Sequence, residues 1–327
     1  MDYGIYYKEE VFSDEEWHCN YQFDVFLSAY NSSERVKKIY DLVNSNKKYW
    51  LIFPEYCLEN EEIEGLSNKI ICNGKYEGEQ ILEVFNQLNE VNWSKVKLSI
   101  DITGFPRAQL AFIMKYLKHI GVTHLETYYG EPMRYTDKGD TKFSDGNLIE
   151  PPRQINGYEG IHSTNQSNDL LIVGAGYDNH LIEGVVSAKP NVTSKLLIGF
   201  PSLRPDMYQE NIFRASLARH SITAHSFVNP IFSPANDPFI TAQVLKDELE
   251  KINNKTPVSN LYLCPLATKT QTLGFVLFYL NELEGSNCSM IFPFFSTYEK
   301  ETTIGLYKVW RYEIQLTDSA FSKTNHS

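Results

Sequence analysis

Long apolar runs are missing from this chain. None reaches the roughly 18 residues that a membrane-spanning helix needs, so a helical membrane protein is excluded. Basic residues are in deficit: 30 Lys and Arg stand against 41 Asp and Glu, for a net charge of −11. That balance argues against duplex DNA or RNA as a partner, because backbone binding needs cations gathered on one face. A small anionic ligand stays compatible with it, since a few local cations and a helix N-terminus hold one even in an acidic protein. The five cysteines, Cys19, Cys57, Cys72, Cys264 and Cys288, form no CxxC pair. Neither a disulfide framework nor a zinc site is expected from them, and the thiols read as reduced. A secretory signal is missing too: the opening MDYGIYYKEEVFSDEEW carries acids where a signal has a basic region and an apolar stretch. A cytoplasmic protein is expected. No GxSxG elbow occurs, and GAGYDNH, from Gly174 to His180, departs from the GxGxxG dinucleotide turn. His220 and His225 lack a nearby pair of carboxylates, so no metal and no cofactor are expected.

What is present is a globular composition, 42% hydrophobic and 13% aromatic, in a chain of 327 residues. The segment FDVFLSAYNSSERVKKIYDLV is an apolar β-rich run, then a polar turn, then Val36, Ile39, Tyr40 and Val43 at helical spacing. Tyr49 to Phe53 is an apolar run stopped by Pro54, as a buried strand would be. Val96 to Ile102 reads as another strand, Ala108 to Ile120 as a helix, and Leu125 to Tyr129 as the strand that closes the half. Alternation of strand and helix predicts parallel sheets with crossover helices.

The same plan starts again at DLLIVGAGYDNHLIEGVV. At an offset of 147, Ala29 falls on Gly176, Tyr30 on Tyr177, Phe53 on Phe200 and Pro54 on Pro201. At an offset of 163, Leu98 falls on Leu261, Leu110 on Leu273, Phe112 on Phe275, Tyr116 on Tyr279, Leu117 on Leu280 and Tyr135 on Tyr298. The change of offset implies an insertion of 16 residues in the second copy between Pro201 and Val258. The expected fold is therefore α/β, with two tandem Rossmann-like halves, mostly parallel, related by internal duplication. Residues 1–135 are assigned to the first half and 168–327 to the second. Residues 136–167, rich in Asp, Gly, Asn, Ser and Pro, are read as a linker or excursion.

In an open parallel sheet, ligands bind at the C-terminal strand edges, where turns into helices gather. The turns expected there carry Tyr30 and Asn31, Tyr177 and Asp178, Thr103 to Arg107, and Thr268 and Lys269. In SIDITGFPRAQ a strand ends at Asp101, Thr103 and Gly104 make a tight turn, and Arg107 stands in the first turn of a helix. Exposed amides, a hydroxyl and a guanidinium together suit a phosphate. A cation at that end opposes the helix dipole unless an anion visits. The counterpart CPLATKTQT offers Thr268, Lys269 and Thr270. Tyr30 and Tyr177, in matched turns, suit stacking on a base.

The Asp-x-Thr-Gly turn after a strand, followed by a basic residue and a helix, resembles the ligand-binding turn of CARF domains. These are Rossmann-like sensors of cyclic oligoadenylates in prokaryotic defence, with a Thr-Gly-Gly-Thr/Ser-Lys type of turn. The resemblance implies that Thr103, Gly104 and Arg107 take those roles, with Thr268 and Lys269 in the second copy; here Phe105-Pro106 replaces the second Gly and the Ser/Thr. It also implies pairing of two such domains about a twofold axis, which a duplicated chain builds internally.

The leading expectation is a nucleotide-sensing or regulatory protein that binds an anionic nucleotide-like ligand between its halves, in prokaryotic defence. The expected contacts are Tyr30, Asn31, Asp101, Thr103, Gly104, Arg107, Tyr177, Thr268 and Lys269. Two alternatives stay open. One is a nucleotide or phosphodiester hydrolase with Asp178 or His180 as base. The other is a partner-binding subunit of a defence complex, pairing with a protein such as a nuclease or ATPase through the Phe-rich MIFPFFSTY segment.

Overall fold

Apolar, β-branched and aromatic runs such as Phe23–Ala29 and Leu170–Gly174 are buried along nearly their whole length, because helices cover both faces of a parallel sheet. The structure, a computed structural model, describes residues 1–13, 15–135, 148, 150–176, 178–204, 208–209, 212, 229–300 and 302–316. It divides into two units, one of Tyr6–Phe143 with Thr297–Thr317, the other of Met1–Ile5, Ser144–Ser296 and Asp318–Ser327. They are called the N-terminal and C-terminal units below.

The N-terminal unit runs β1 (Lys8–Ser13), β2 (Glu16–Trp17), β3 (Gln22–Ala29), α1 (Glu34–Leu42), β4 (Asn44–Ile52), α2 (Asn60–Ile63), β5 (Lys69–Ile71), α3 (Glu77–Gln87), β6 (Leu98–Asp101), α4 (Arg107–His119) and β7 (His124–Tyr135). Its parallel core has the order β7-β6-β3-β4-β5. The register Ser28↔Asp101 and Ser28↔Trp50 brings the ends of the three central strands level. Helix α4 starts after Pro106, whose fixed φ suits a helix entrance, and stops before Gly121, which takes φ +84° beyond the last turn.

The C-terminal unit runs β8 (Arg153–Gln154), β9 (Leu170–Gly174), α5 (Asn179–Ser187), β10 (Thr193–Gly199), β11 (Ile231–Ser233), α6 (Pro238–Asn253), β12 (Leu261–Pro265), α7 (Lys269–Phe278) and β13 (Cys288–Phe292). Its parallel core, β13-β12-β9-β10-β11, repeats the order of the first. Asp237 caps α6 by accepting from the amides of Phe239 and Ile240 at 3.0 Å each, with Pro238 in the first turn. Both units are thus Rossmann-like, as the alternation predicted. The longer link in the second lies between β10 and β11, where 205–207, 210–211 and 213–228, with His220 and His225, fall outside the described residues.

Three assignments change. The final strand β14 (Thr303–Gln315), placed by sequence in the second half, pairs antiparallel with β7 of the N-terminal unit, and β1 pairs with β14 in turn. The reason is the twelve-residue β7: β6 covers one of its edges, and the other edge needs a partner. Val309 and Leu306 of β14 then join Phe12, Phe23, Phe26 and Tyr128 in one core. The stretch expected as a linker holds β8, which pairs antiparallel with β13, and the buried Ile155 and Tyr158. Residues 136–147 and 149 of it lie outside the described residues. The apolar segment expected to dock a partner is largely internal: Met290, Ile291 and Phe292 form β13, and Phe295 is buried with them. Among the described residues, no helix is long and apolar enough to cross a membrane.

Gly104 limits how the N-terminal unit closes, because a Cβ there would run into the carbonyl oxygen of Ala29. Gly104→Ala is expected to destabilise this unit by about 2–3 kcal/mol. Gly65→Ala, where a Cβ meets nothing within 4 Å, is expected to stay within about 0.5 kcal/mol of wild type. All four tryptophans, Trp17, Trp50, Trp93 and Trp310, belong to the N-terminal unit, so urea unfolding followed by their fluorescence reads the difference. Equal midpoints would mean that the two backbones have room to part.

Candidate functional site

The loops after β3 and β6 leave neighbouring strands toward opposite faces, the switch point at which open α/β sheets hold ligands. Asp101, the last residue of β6, is fully buried. Ser28 Oγ donates to its Oδ2 at 3.0 Å and the Thr103 amide to its Oδ1 at 2.9 Å. Burial nevertheless pushes its carboxyl up to about 6, against the pull of these donors and of Arg35. The Thr103 hydroxyl accepts from the Gly130 amide at 2.9 Å, and the Gly104 carbonyl accepts from the Tyr56 hydroxyl at 2.6 Å. Arg107 opens α4, half-buried, and its amide donates to the Tyr298 hydroxyl at 3.4 Å. Asn31 makes a local turn by accepting from the Ser33 amide at 3.1 Å.

Five of the residues expected in the N-terminal unit, Asn31, Asp101, Thr103, Gly104 and Arg107, therefore share one edge. Tyr30 does not join them. It is 6% exposed, packs edge-on to Trp50 with centroids 5.2 Å apart, and reaches the Glu62 carbonyl with its hydroxyl. Its ring fills a cluster with Val36, Ile52 and Ile63 rather than standing open to a base.

Other residues at this edge were not picked out by sequence. Arg35, in the first turn of α1, donates from Nε to Thr303 Oγ1 at 3.0 Å and from a terminal nitrogen to the Gly130 carbonyl at 2.5 Å. Its charge also opposes the rise that burial gives the Tyr129 phenol. The phenols of Tyr56, Tyr129 and Tyr298 are pushed up by burial, while Arg107 pulls all three down. Beside them Glu55 accepts on Oε1 from Gln80 at 2.9 Å and Gln109 at 2.7 Å. Its Oε2 is buried without a partner, and burial raises its carboxyl. The edge thus gathers guanidinium, phenol, hydroxyl and amide donors, which suits an anion. Tyr298 is 191 residues from Arg107 in the chain, and Arg35 sits among Lys37 and Lys38; nothing in the sequence separates these two from their neighbours.

In the C-terminal unit the matching edge is organised otherwise. Thr268 caps α7, accepting from the Gln271 amide at 3.1 Å, and its hydroxyl donates to the Ala235 carbonyl at 2.6 Å. Thr270 donates to the same carbonyl at 2.5 Å. Lys269 opens α7, half-buried. Asp178 caps α5, accepting from the Leu181 amide at 3.3 Å, and His180 is exposed on the first turn. This holds the Asp178 carboxylate to its own helix. Tyr177 lies outside the described residues. Gly176 makes the close crossing here, since a Cβ on it would meet the Leu266 carbonyl. Among the described residues, no cluster of His, Cys, Asp and Glu could hold a metal ion.

Comparison of the chain with protein-family models, curated proteins and solved structures returns no match.

The raised Asp101 carboxyl sets a pH dependence. Between about pH 4 and 6 the folded unit keeps a proton that the unfolded chain releases, so stability from this group is complete at low pH and lost as pH rises through 6. Asp101→Asn is neutral throughout and is expected to gain on wild type by roughly 2–3 kcal/mol from pH 4 to pH 7. Urea unfolding by tryptophan fluorescence at several pH values checks this; a constant difference would mean that the carboxyl titrates as it does in water.

Proposed function

We propose that this chain is a nucleotide-sensing or regulatory protein that binds an anionic, nucleotide-like ligand at the C-terminal strand edge of its Rossmann-like fold. Its CARF-like turn supports a role in prokaryotic antiviral defence, and the repeated strand order supports an origin by internal duplication. One observation carries the binding reading. The helix after the fourth core strand opens on a cation in both units, Arg107 on α4 and Lys269 on α7, and neither first turn contains a carboxylate. Helices α1 and α3, by contrast, follow the dipole rule with Glu34, and with Glu77 and Glu79. A cation at the positive end of a helix costs a few tenths of a kcal/mol to about 1 kcal/mol, and a bound anion reverses the sign.

Binding acts as a sensor to the extent that the ligand prefers one arrangement of the chain over another. Arg107→Ala with Lys269→Ala removes the charge at both helix ends. A charge-assisted hydrogen bond contributes roughly 1.5–3 kcal/mol, so the double variant is expected to lose about 10- to 100-fold in affinity. Calorimetric titration with AMP, ATP and a cyclic oligoadenylate measures the loss, and circular dichroism verifies the fold. A wild type that binds none of the three, or a double variant of undiminished affinity, would overturn the reading.

A further inference from the structure

The turn after β4, Pro54–Tyr56, lies at the surface: Pro54 and Cys57 are exposed, Glu55 is half-buried and Tyr56 is buried. Within it the Tyr56 amide donates to the Phe53 carbonyl at 3.3 Å and the Cys57 amide to the Pro54 carbonyl at 2.9 Å. The Glu55 side chain ties this turn to two helices. Gln80 of α3 and Gln109 of α4, 1% and 3% exposed, both donate from Nε2 to Glu55 Oε1, at 2.9 Å and 2.7 Å.

These bonds fix where a proton on Glu55 sits. Gln80 Nε2 also donates to the Gly74 carbonyl at 3.0 Å, and a carbonyl only accepts, so the Gln80 amide cannot be turned round. Its Oε1 then accepts from Gln109 Nε2 at 2.8 Å. Each glutamine has both N–H groups in use, and Glu55 Oε1 faces two donors, so the proton belongs on Oε2. Oε2 is buried and receives no hydrogen bond. An ionised carboxyl would leave charge on a dry oxygen without a donor, whereas the neutral acid leaves a single O–H.

The groups around Glu55 supply no counter-charge. Glu77 stands in the first turn of α3 and Cys72 just past β5; further along α3, Glu79 and Glu83 hold the amides of Lys75 and Asn73. Tyr298 donates its amide to the Glu55 carbonyl at 2.8 Å, and Arg107 of α4 acts on the phenols of Tyr298 and Tyr56. Burial raises the Glu55 carboxyl against the pull of Gln80 and Gln109, and Glu77 adds to the rise.

We infer that Glu55 is a proton-operated latch: its protonated carboxyl clamps the Pro54–Tyr56 turn to α3 and α4, and loss of that proton to water releases the turn. Release draws Oε2 into the nearby solvent and parts the Tyr56 hydroxyl from the Gly104 carbonyl, which it meets at 2.6 Å. Glu55 is thus a positioning residue, acting through Tyr56 on the turn between β6 and α4. The latch does not rest on the nucleotide reading. Because the closed turn holds the proton more tightly than the open one, closure is complete at low pH and lost as pH rises through the raised value.

Hydrogen–deuterium exchange of the full chain tests this, read by mass spectrometry on peptides containing Tyr56, Cys57 and Tyr298 and referred to unstructured peptides of the same sequence. Between about pH 5 and about pH 8, protection of these amides in wild type is expected to fall about tenfold or more. Glu55→Gln keeps the Oε1 acceptor and cannot ionise, so its protection is expected to stay constant. Asp101 titrates in both proteins, and its effect cancels in the comparison. Glu55→Ala carries the test if the glutamine variant unfolds, and is expected to show a loose turn at both pH values. Equal protection in wild type at the two pH values, a pH step that survives in either variant, or a loss spread over the whole unit at once would overturn the inference.

Discussion

Two backbones pass almost in contact where the sheet's crossovers part, and the geometry of the candidate site's strand edge follows from that passage. In a core of this order the chain leaves the central strand toward one face and its neighbour toward the other. The turns at that point have room for each other only if one of them lacks a side chain. In the N-terminal unit the missing side chain is that of Gly104, after the fourth strand, set against the carbonyl of Ala29. In the C-terminal unit it is that of Gly176, after the first strand, set against the carbonyl of Leu266. The constraint is on the pair, not on either position, so two sequences satisfy it from opposite sides. The choice has consequences. With the glycine on the fourth strand's turn, Thr103 is free of capping duty and bonds across to β7; with the glycine on the other turn, Thr268 caps its helix.

The peptide of Gly130 ties the N-terminal edge together. Its amide donates to Thr103 and its carbonyl accepts from Arg35, so one residue of β7 holds both the turn after β6 and the first turn of α1. Thr303 of β14 holds the same guanidinium from the other side. Buried polar groups that are fully bonded to one another resist displacement, because moving one leaves others unsatisfied. The last strand of the chain therefore helps set the position of a side chain near its beginning, and the antiparallel edge is part of the site's support as well as cover for β7.

The parallel core was legible because its signals are local: an apolar run, a turn and a helical period, repeated at offsets of 147 and 163. The offsets follow the strands: β3 maps onto β9, β4 onto β10 and β6 onto β12. What failed was everything decided by distant pairing. β14 shows a strand-like pattern, but nothing in TIGLYKVWRYEIQ says which sheet it completes. Tyr298 aligns with Tyr135 at the second offset, yet it belongs to the N-terminal unit, where its amide bonds the Glu55 carbonyl at 2.8 Å. Tyr30 aligns with a turn and was read as open; the inward side of that turn offered a cavity lined by Trp50 and Ile63, and burying a ring there is favoured over leaving it in water. The edge residues Asn31, Asp101, Thr103, Gly104 and Arg107 were legible because a parallel strand must end where they stand. Arg35 was not, because the periodicity of α1 fixes which positions are buried but not which cation finds neutral acceptors.

An acidic chain and a cationic edge coexist through screening and burial. At physiological ionic strength charges more than about 8 Å apart interact weakly across solvent, so most of the carboxylates behind the net charge of −11 do little to a small anion already at the edge. The carboxylates close enough to matter are handled by burial: Asp101 and Glu55 are pushed toward the neutral form, and Glu131 is tied to Trp310. On the reading proposed above, short-range, oriented donors set in an acidic chain would favour a compact anion over a nucleic acid strand, because a long polyanion would meet many more of the carboxylates behind the net charge.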